Sequence, residues 1–177
     1  MVARDLDTHL RFALADPPMQ LPVVEIRPLT RADRGRLARL FDRLSPTTIY
    51  QRFHQPVVAP SLSLLEQLVR LDGVDSVAIA ASYGDDVIGV ARYHRPGPAE
   101  PPEAAIVVED AWQRHGVGRR LLLALADAAA ANGVTELTGV TRTSNHALLG
   151  LVHDVFPDAK TSLRFGEHMY DLRIPVG

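Results

Sequence analysis

Six consecutive residues, Gln113-Arg114-His115-Gly116-Val117-Gly118, are followed by Arg119 and Arg120 and stand where the sequence turns into a helix. A helix N-terminus carries unpaired N–H groups and the positive end of the macrodipole, so it ordinarily attracts acidic side chains and disfavours basic ones. Here four cations, Arg114, His115 when protonated, Arg119 and Arg120, crowd the first turn and the loop before it. That costs energy unless an anion sits there. Gly116 and Gly118 remove Cβ atoms where a phosphate would approach the backbone most closely, which leaves a nest of amides. A pyrophosphate is the natural guest. The competing reading is an ordinary glycine-containing turn whose arginines are neutralised by Glu109 and Asp110, because short glycine motifs are weak signals alone.

Other chemistries fit the chain less well. A Walker A loop needs a Gly-Lys-Ser/Thr end that is absent, and a dinucleotide fingerprint needs Gly or Ala where Leu121 stands. The chain has no cysteine, which excludes disulfide scaffolds, Cys-ligated zinc and a Cys nucleophile. None of the 7 histidines falls in a metal-binding spacing, so no metal is expected. A Gly-x-Ser-x-Gly elbow for a serine nucleophile is also missing.

The elements that must position this segment follow from hydrophobic period and punctuation. Val23 to Leu29 reads as a strand, and Thr30 can cap a helix running to about Leu44 with Leu37, Leu40, Phe41 and Leu44 inward. Ser45-Pro46 opens a broken segment through Pro56, and Ser61 caps a helix carrying Leu64, Leu65, Leu68 and Val69. Val77–Ala81 and Val87–Tyr93 flank Tyr83-Gly84-Asp85-Asp86, a hairpin signal. After a Pro- and Gly-rich loop comes the strand Glu103–Val108. The motif then opens a helix over Val117–Ala131, closed by Asn132-Gly133, and Val134–Val140 returns as a strand. Strand, crossover helix and strand imply one parallel pair in an otherwise antiparallel sheet. Asn145–Val155 is a short helix, and 160–165 with 168–174 form a closing strand pair. The expected class is therefore α/β (α+β), a mixed, mostly antiparallel sheet of about six to seven strands flanked by helices on both faces. Residues 5–15 place Leu6, Leu10, Ala13 and Leu14 on one helical face, so residues 1–22 read as a helical extension before a domain over 23–177.

Composition sets the outer limits. A chain of 177 residues with 46% hydrophobic and 23% charged residues and a formal net charge of -2 fits one globular domain. A pI near 6.4 gives no basic bias for a nucleic-acid partner. No run of about 18 apolar residues is present to cross a bilayer as a helix, and Met1–Gln20 lacks a signal-peptide h-region, so the expectation is a cytoplasmic protein with no membrane partner. Residues 1–22 would dock on the domain or on a second subunit, so a monomer and a homodimer both fit.

Gln113-Arg114-His115-Gly116-Val117-Gly118, preceded by an Ala-Ile-Val-Val strand and followed by Arg-Arg-Leu-Leu, resembles the Gln/Arg-x-x-Gly-x-Gly/Ala signature of the GNAT acetyltransferase superfamily. Ile26-Arg27-Pro28, Leu44-Ser45-Pro46, Tyr50-x-Arg52-Phe53 and Gly89-Val90-Ala91-Arg92-Tyr93 are similar to the acetyltransferase domains of bacterial protein-lysine acetyltransferases. The element order from Val23 onward also resembles that fold, and the resemblance leaves residues 1–22 unexplained.

The resemblance implies acetyl transfer from acetyl-CoA to a primary amine such as a protein lysine. It implies that the Val107 or Val108 amide polarises the thioester carbonyl, and that the backbone from Arg114 through His115, Gly116, Val117 and Gly118 to Arg119, with Gln113 before it, holds the pyrophosphate. Asn145 matches the family's cofactor-side Asn, and a plain helix N-cap is an equal reading of it. Glu103 matches the family's Glu at the start of this strand and is the candidate base. A base is needed because a lysine amine with a pKa of about 10.4 reaches its nucleophilic form at pH 7 only at a cost of about 4–5 kcal/mol. One departure is clear: a Tyr often lies in the helix after the Asn, where this chain has Val152. His153 and Tyr170 are candidate substitutes, and a surface histidine and a strand tyrosine are the plain readings of the two. Two other outcomes remain open, a catalytically weak acyl-CoA-binding sensor or scaffold and an acetyltransferase for small amines.

Overall fold

The computed structural model describes residues 23–55 and 59–175. The helix expected within residues 1–22 lies outside the described residues. In chain order come strand β1 (Glu25–Pro28), a 3₁₀ turn (Arg31–Asp33) and helices α1 (Arg34–Arg43), α2 (Pro46–Phe53) and α3 (Leu62–Leu68). Strands β2 (Ser76–Tyr83), β3 (Asp86–His94) and β4 (Glu103–Val108) follow, then a 3₁₀ turn (Asp110–Trp112) and α4 (Val117–Ala131). The chain finishes with β5 (Glu136–Arg142), α5 (His146–Val155), β6 (Lys160–Arg164) and β7 (Glu167–Arg173). The strands form one seven-stranded sheet in the order β1-β2-β3-β4-β5-β7-β6. Every neighbouring pair is antiparallel except β4 with β5, the pair joined by the α4 crossover.

Two hydrophobic layers cover the sheet. Leu121, Leu122 and Leu125 of α4 pack with Val152 of α5 on Ile79, Ile88, Ala91 and Tyr93. On the other face Leu37, Leu40 and Phe41 of α1 and Leu65 of α3 pack on Ala78, Ala80 and Val90. Alternation along each strand sends successive residues to opposite layers, which is why β2 and β3 are buried almost throughout.

Three expectations need correction. The helix expected from Thr30 to about Leu44 is divided: a 3₁₀ turn precedes α1, because the Asp33 carboxylate is drawn in to accept from the Thr30 N–H at 2.9 Å and from Arg27 Nη1 and Nη2 at 2.9 and 2.8 Å. The segment after Ser45 is the helix α2 and not a broken stretch. Ser45 Oγ accepts from the Thr48 N–H at 3.2 Å and Pro46 occupies the first turn, where a missing N–H costs nothing. What the local sequence hides is Asp110, 62 residues beyond Thr48, which accepts from Ser45 N at 2.9 Å, Ser45 Oγ at 2.7 Å and Thr48 Oγ1 at 2.8 Å. The strand expected at Val134–Val140 is displaced to Glu136–Arg142, since the Val134 N–H is taken by Ala129 O at the end of α4.

Candidate active site

Strands β4 and β5 are paired at two positions only, Glu103 with Thr138 and Ala104 with Gly139. Beyond Ala104 they diverge. The Thr138 N–H donates to Pro102 O at 2.9 Å, and on the opposite edge the Glu109 N–H donates to Ile88 O at 2.8 Å. Alternation along β4 therefore turns the backbone groups of Ala104, Ile106 and Val108 toward β5, and those of Glu103, Ala105 and Val107 toward β3. Once β5 has turned away, the Ile106 and Val108 groups border an open fork. Of the two amides expected to face a ligand, Val108 is placed to do so, while Val107 faces β3. Sequence reasoning missed Ile106; counting alternate residues back from Val108 would have found it.

The fork continues as a cleft of about 780 Å³ that runs to the start of α4, within the usual range for small-molecule sites. Val107, Val108, Gln113, Arg114, Gly116, Gly118, Arg119 and Asn145 all line it. His115 and Val117 do not. His115 is exposed with Nδ1 2.7 Å from Gln113 O, and the Val117 side chain is buried in the core, so only its backbone is available at the helix start.

The loop before α4 is bent twice. Arg114 has φ 60° and Gly116, the N-cap, has φ 77°. A left-handed conformation costs a residue with a Cβ about 1–2 kcal/mol, which Gly116 avoids and Arg114 does not. Arg120 N–H donating to Gly116 O opens the helical ladder, so the amides of Val117, Gly118 and Arg119 precede it and point outward from the helix end. Gln113 fixes the loop from below: its Nε2 donates to Val108 O at 3.0 Å and to Thr48 Oγ1 at 3.3 Å.

The acids that might have neutralised this helix start are engaged elsewhere. Glu109 holds Arg43 Nε of α1 at 2.9 Å, and Asp110 holds the start of α2. Burial pushes the Asp110 carboxyl up, but the hydrogen bonds from Ser45 and Thr48 outweigh it and leave it below the usual carboxylate range. No acid stands in the first turn of α4. The four cations are not equivalent, however. Arg119 Nε meets Asp154 at 2.9 Å in an exposed pair, and Arg120 Nη2 is turned away to Val24 O at 2.9 Å.

Gly118 has a second role that the sequence did not reveal. A Cβ there would stand 2.9 Å from Leu151 Cδ2, so the missing side chain also lets α5 approach α4. Asn145 is the N-cap of α5 and accepts from the Leu148 N–H at 3.1 Å. The capping reading of Asn145 is thus realised, on the wall of the same cleft.

Glu103 lies at the closed end of the fork. It is exposed and does not line the cleft itself. In the β3–β4 register it faces His94, and its side chain shares a sheet face with Ala105 and Val107. Of the two residues in reach to replace the missing helix Tyr, His153 is exposed on α5, whereas Tyr170 on β7 lines the cleft opposite Gly139. Tyr170 is 2% exposed and its hydroxyl has no hydrogen-bond partner among the described residues. Burial raises its pKa. Among the described residues no three His, Asp or Glu side chains converge as a metal site, and no helix is long and apolar enough to cross a membrane.

The sheet is thus forked at its single parallel pair, above a helix start with no acid in its own first turn. The profile of the Acetyltransferase (GNAT) family matches residues 38–153, and the chain belongs to that family. It is 32% identical over 150 residues to acetyltransferase PA5475 of Pseudomonas aeruginosa, covering 79% of this chain and 81% of that one. Its fold matches the GNAT domain of S. lividans PAT with a TM-score of 0.79 and 27% identity, over 85% of this chain and 90% of that domain. A protein from Salmonella typhimurium, solved with its cofactor acetyl-CoA, shares the fold at a TM-score of 0.68 and 17% identity over 87% of this chain and 94% of that one.

Proposed function

We propose that this acetyltransferase moves the acetyl group of acetyl-CoA directly to a primary amine at the fork between β4 and β5. One observation carries the reading: the two strands separate after Ala104, and the opened edge leads to a helix start with free amides and no acid in its own first turn. The amides of Val117, Gly118 and Arg119 and the Arg114 guanidinium hold the pyrophosphate, where a helix N-terminus is worth most to an anion. The fork-facing groups of Ile106 and Val108 run beside the pantetheine arm as a strand would, and the Val108 amide hydrogen-bonds the thioester carbonyl as charge develops on its oxygen. Gln113 acts on Val108 rather than on the phosphate, since its amide holds the Val108 carbonyl. Asn145 sets the start of α5 against the cleft.

Glu103 takes the proton from the acceptor ammonium. Because it lies outside the cleft wall, a water between the carboxylate and the nitrogen completes the path. The amine attacks the carbonyl carbon, the C–S bond breaks, the sulfur leaves with the electron pair, and the second proton leaving the nitrogen passes to water, from which Tyr170 regains the one it gives the sulfur. A thiol with a pKa of about 8.5 needs only about 2 kcal/mol of help to leave at pH 7, and the Tyr170 hydroxyl is the donor that supplies it. Its burial without a partner among the described residues supports this role.

The position of Glu103 outside the cleft also supports a second reading, a sensor that binds acetyl-CoA without transfer. Thiol release measured with a panel of small amines and lysine peptides separates the two. Release matched by N-acetylated product supports transfer; tight binding of acetyl-CoA with no release for any acceptor supports the sensor.

A further inference from the structure

Two guanidinium groups stand on the acceptor side of the fork outside any ion pair among the described residues. Arg92 lies opposite Ala105 in the β3–β4 register, which puts its side chain on the face shared by Glu103 and Val107. Arg52 comes to the same place from α2. It lines the cleft and, together with Arg92, a small apolar pocket beneath α1 whose other walls include Leu40, Phe41 and Val90. Both arginines are half-buried. Desolvation pulls the Arg52 guanidinium down to about 10, the charge of Arg92 pulls the same way, and Glu103 opposes them weakly. Desolvation lowers Arg92 as well.

Elsewhere in the described residues most half-buried arginines hold acids: Arg27 and Arg36 share Asp33, Arg43 holds Glu109 and Arg95 holds Asp75, while Arg142 lies over the Tyr50 ring. Arg52 and Arg92 are in no such pair among the described residues; the Phe53 ring, 4.8 Å from Arg52 Cζ, compensates Arg52 in part, as the Tyr50 ring does Arg142. Guanidinium groups stay protonated at neutral pH even when depressed this far. Like charges brought together out of water are unfavourable, and the single carboxylate nearby, Glu103, leaves a net positive charge. The pyrophosphate cannot supply the missing anion, because its proposed site lies beyond the opposite end of β4.

We propose that Arg52 and Arg92 bind a carboxylate of the acceptor, so that the acceptor is a small amine carrying an acid group a few bonds from its nitrogen. The inference rests on the acetyl-transfer reading and names its substrate class. The spacing favours a small molecule. Arg92 faces Ala105, two residues along β4 from Glu103 and therefore about 7 Å away, so the amine near Glu103 and the acid near Arg92 must belong to one short skeleton. A lysine side chain of a protein brings no carboxylate to that depth, and its acidic neighbours would stay at the mouth of the cleft.

The test compares glycine, β-alanine and γ-aminobutyrate with their carboxamides as acceptors, using the wild-type chain, Arg52→Met, Arg92→Met and Arg52→Lys. The wild type is expected to favour the best acid over its amide at least tenfold in kcat/KM. That ratio falls to about one in both Met variants and recovers in part in Arg52→Lys. Thermal unfolding of Arg52→Met is expected at or above the wild-type temperature, because an uncompensated cation has been removed, so loss of discrimination will not reflect unfolding. With coenzyme A present, the preferred acid raises the melting temperature of the wild type and not of Arg52→Met. Equal use of acids and amides by the wild type, or lysine peptides turning over faster than every acid-bearing amine, overturns the proposal and leaves acetyl transfer standing. Acid-dependent stabilisation without acetylation of any amine supports the anion site and sinks the transfer reading instead.

Discussion

An alanine at position 118 would place its Cβ 2.9 Å from Leu151 Cδ2 and 3.8 Å from Ile106 Cδ1 and Val108 Cγ2. The strand contacts are ordinary; the Leu151 contact forces a shift, and it involves the tip of a flexible side chain. Two effects compete. Alanine is favoured over glycine in a helix by at most about 1 kcal/mol, while overpacking costs about 1–3 kcal/mol. With a cost near the middle of that range, Gly118→Ala destabilises the fold by about 1 kcal/mol. In a Leu151→Ala background the clash is absent, and the same substitution should stabilise by about 1 kcal/mol. The coupling between positions 118 and 151 is thus about 2 kcal/mol, inside the range found for residues in contact. Both residues line the cleft, so the displaced Leu151 also narrows it. Gly118→Ala should weaken acetyl-CoA binding about tenfold, and Leu151→Ala should restore most of that loss. Urea unfolding of the four proteins in the cycle gives the coupling, and titration calorimetry gives the affinities. Additive stabilities within about 0.5 kcal/mol, or unchanged affinity in the folded single variant, would refute the packing argument.

Asp33→Asn tests the buried pair under β1. The hydrogen bonds from Arg27 and Thr30 hold the folded carboxyl far below the ordinary carboxylate range against the cost of burial; the unfolded chain titrates near about 3.9. The pair's contribution is therefore fully present above about pH 4, where Asn should cost about 3 kcal/mol, and it fades as the pH falls further; a wild-type advantage constant from pH 7 to pH 3 contradicts this. Glu103→Gln should lower kcat about 100-fold at neutral pH and recover partly at high pH, where the amine arrives deprotonated, whereas a wild-type rate across the pH range removes Glu103 as base. Tyr170→Phe should slow acetyl-CoA turnover about tenfold but leave an acetyl thioester of a more acidic thiol nearly unaffected; equal loss with both donors makes Tyr170 a packing residue.

The parts of the site that were legible in the sequence are local. Glu103–Val108 shows as a strand and Val117–Ala131 as a helix because the apolar period, the glycines and the Asn132-Gly133 stop all lie within a few residues of one another. The parts that were not legible depend on partners distant in the chain. Pro46 reads as a break until Asp110 is seen holding Ser45 and Thr48. Glu109 and Asp110 read as neutralising acids until Arg43 and α2 are seen taking them. Gly118 reads as room for a phosphate, but Leu151 approaches from α5, 33 residues further on. Arg52 falls in the segment read as broken, and its burial beside Arg92 follows only from where α2 lies on the sheet.

The most direct test of the central claim is a crystal structure of the chain with coenzyme A. The pyrophosphate is predicted within hydrogen-bonding distance of the Val117, Gly118 and Arg119 amides, with the pantetheine arm between β4 and β5 and its carbonyl groups beside Ile106 and Val108. Coenzyme A bound with its pyrophosphate away from α4, or with β4 and β5 closed against each other beyond Ala104, would contradict the account.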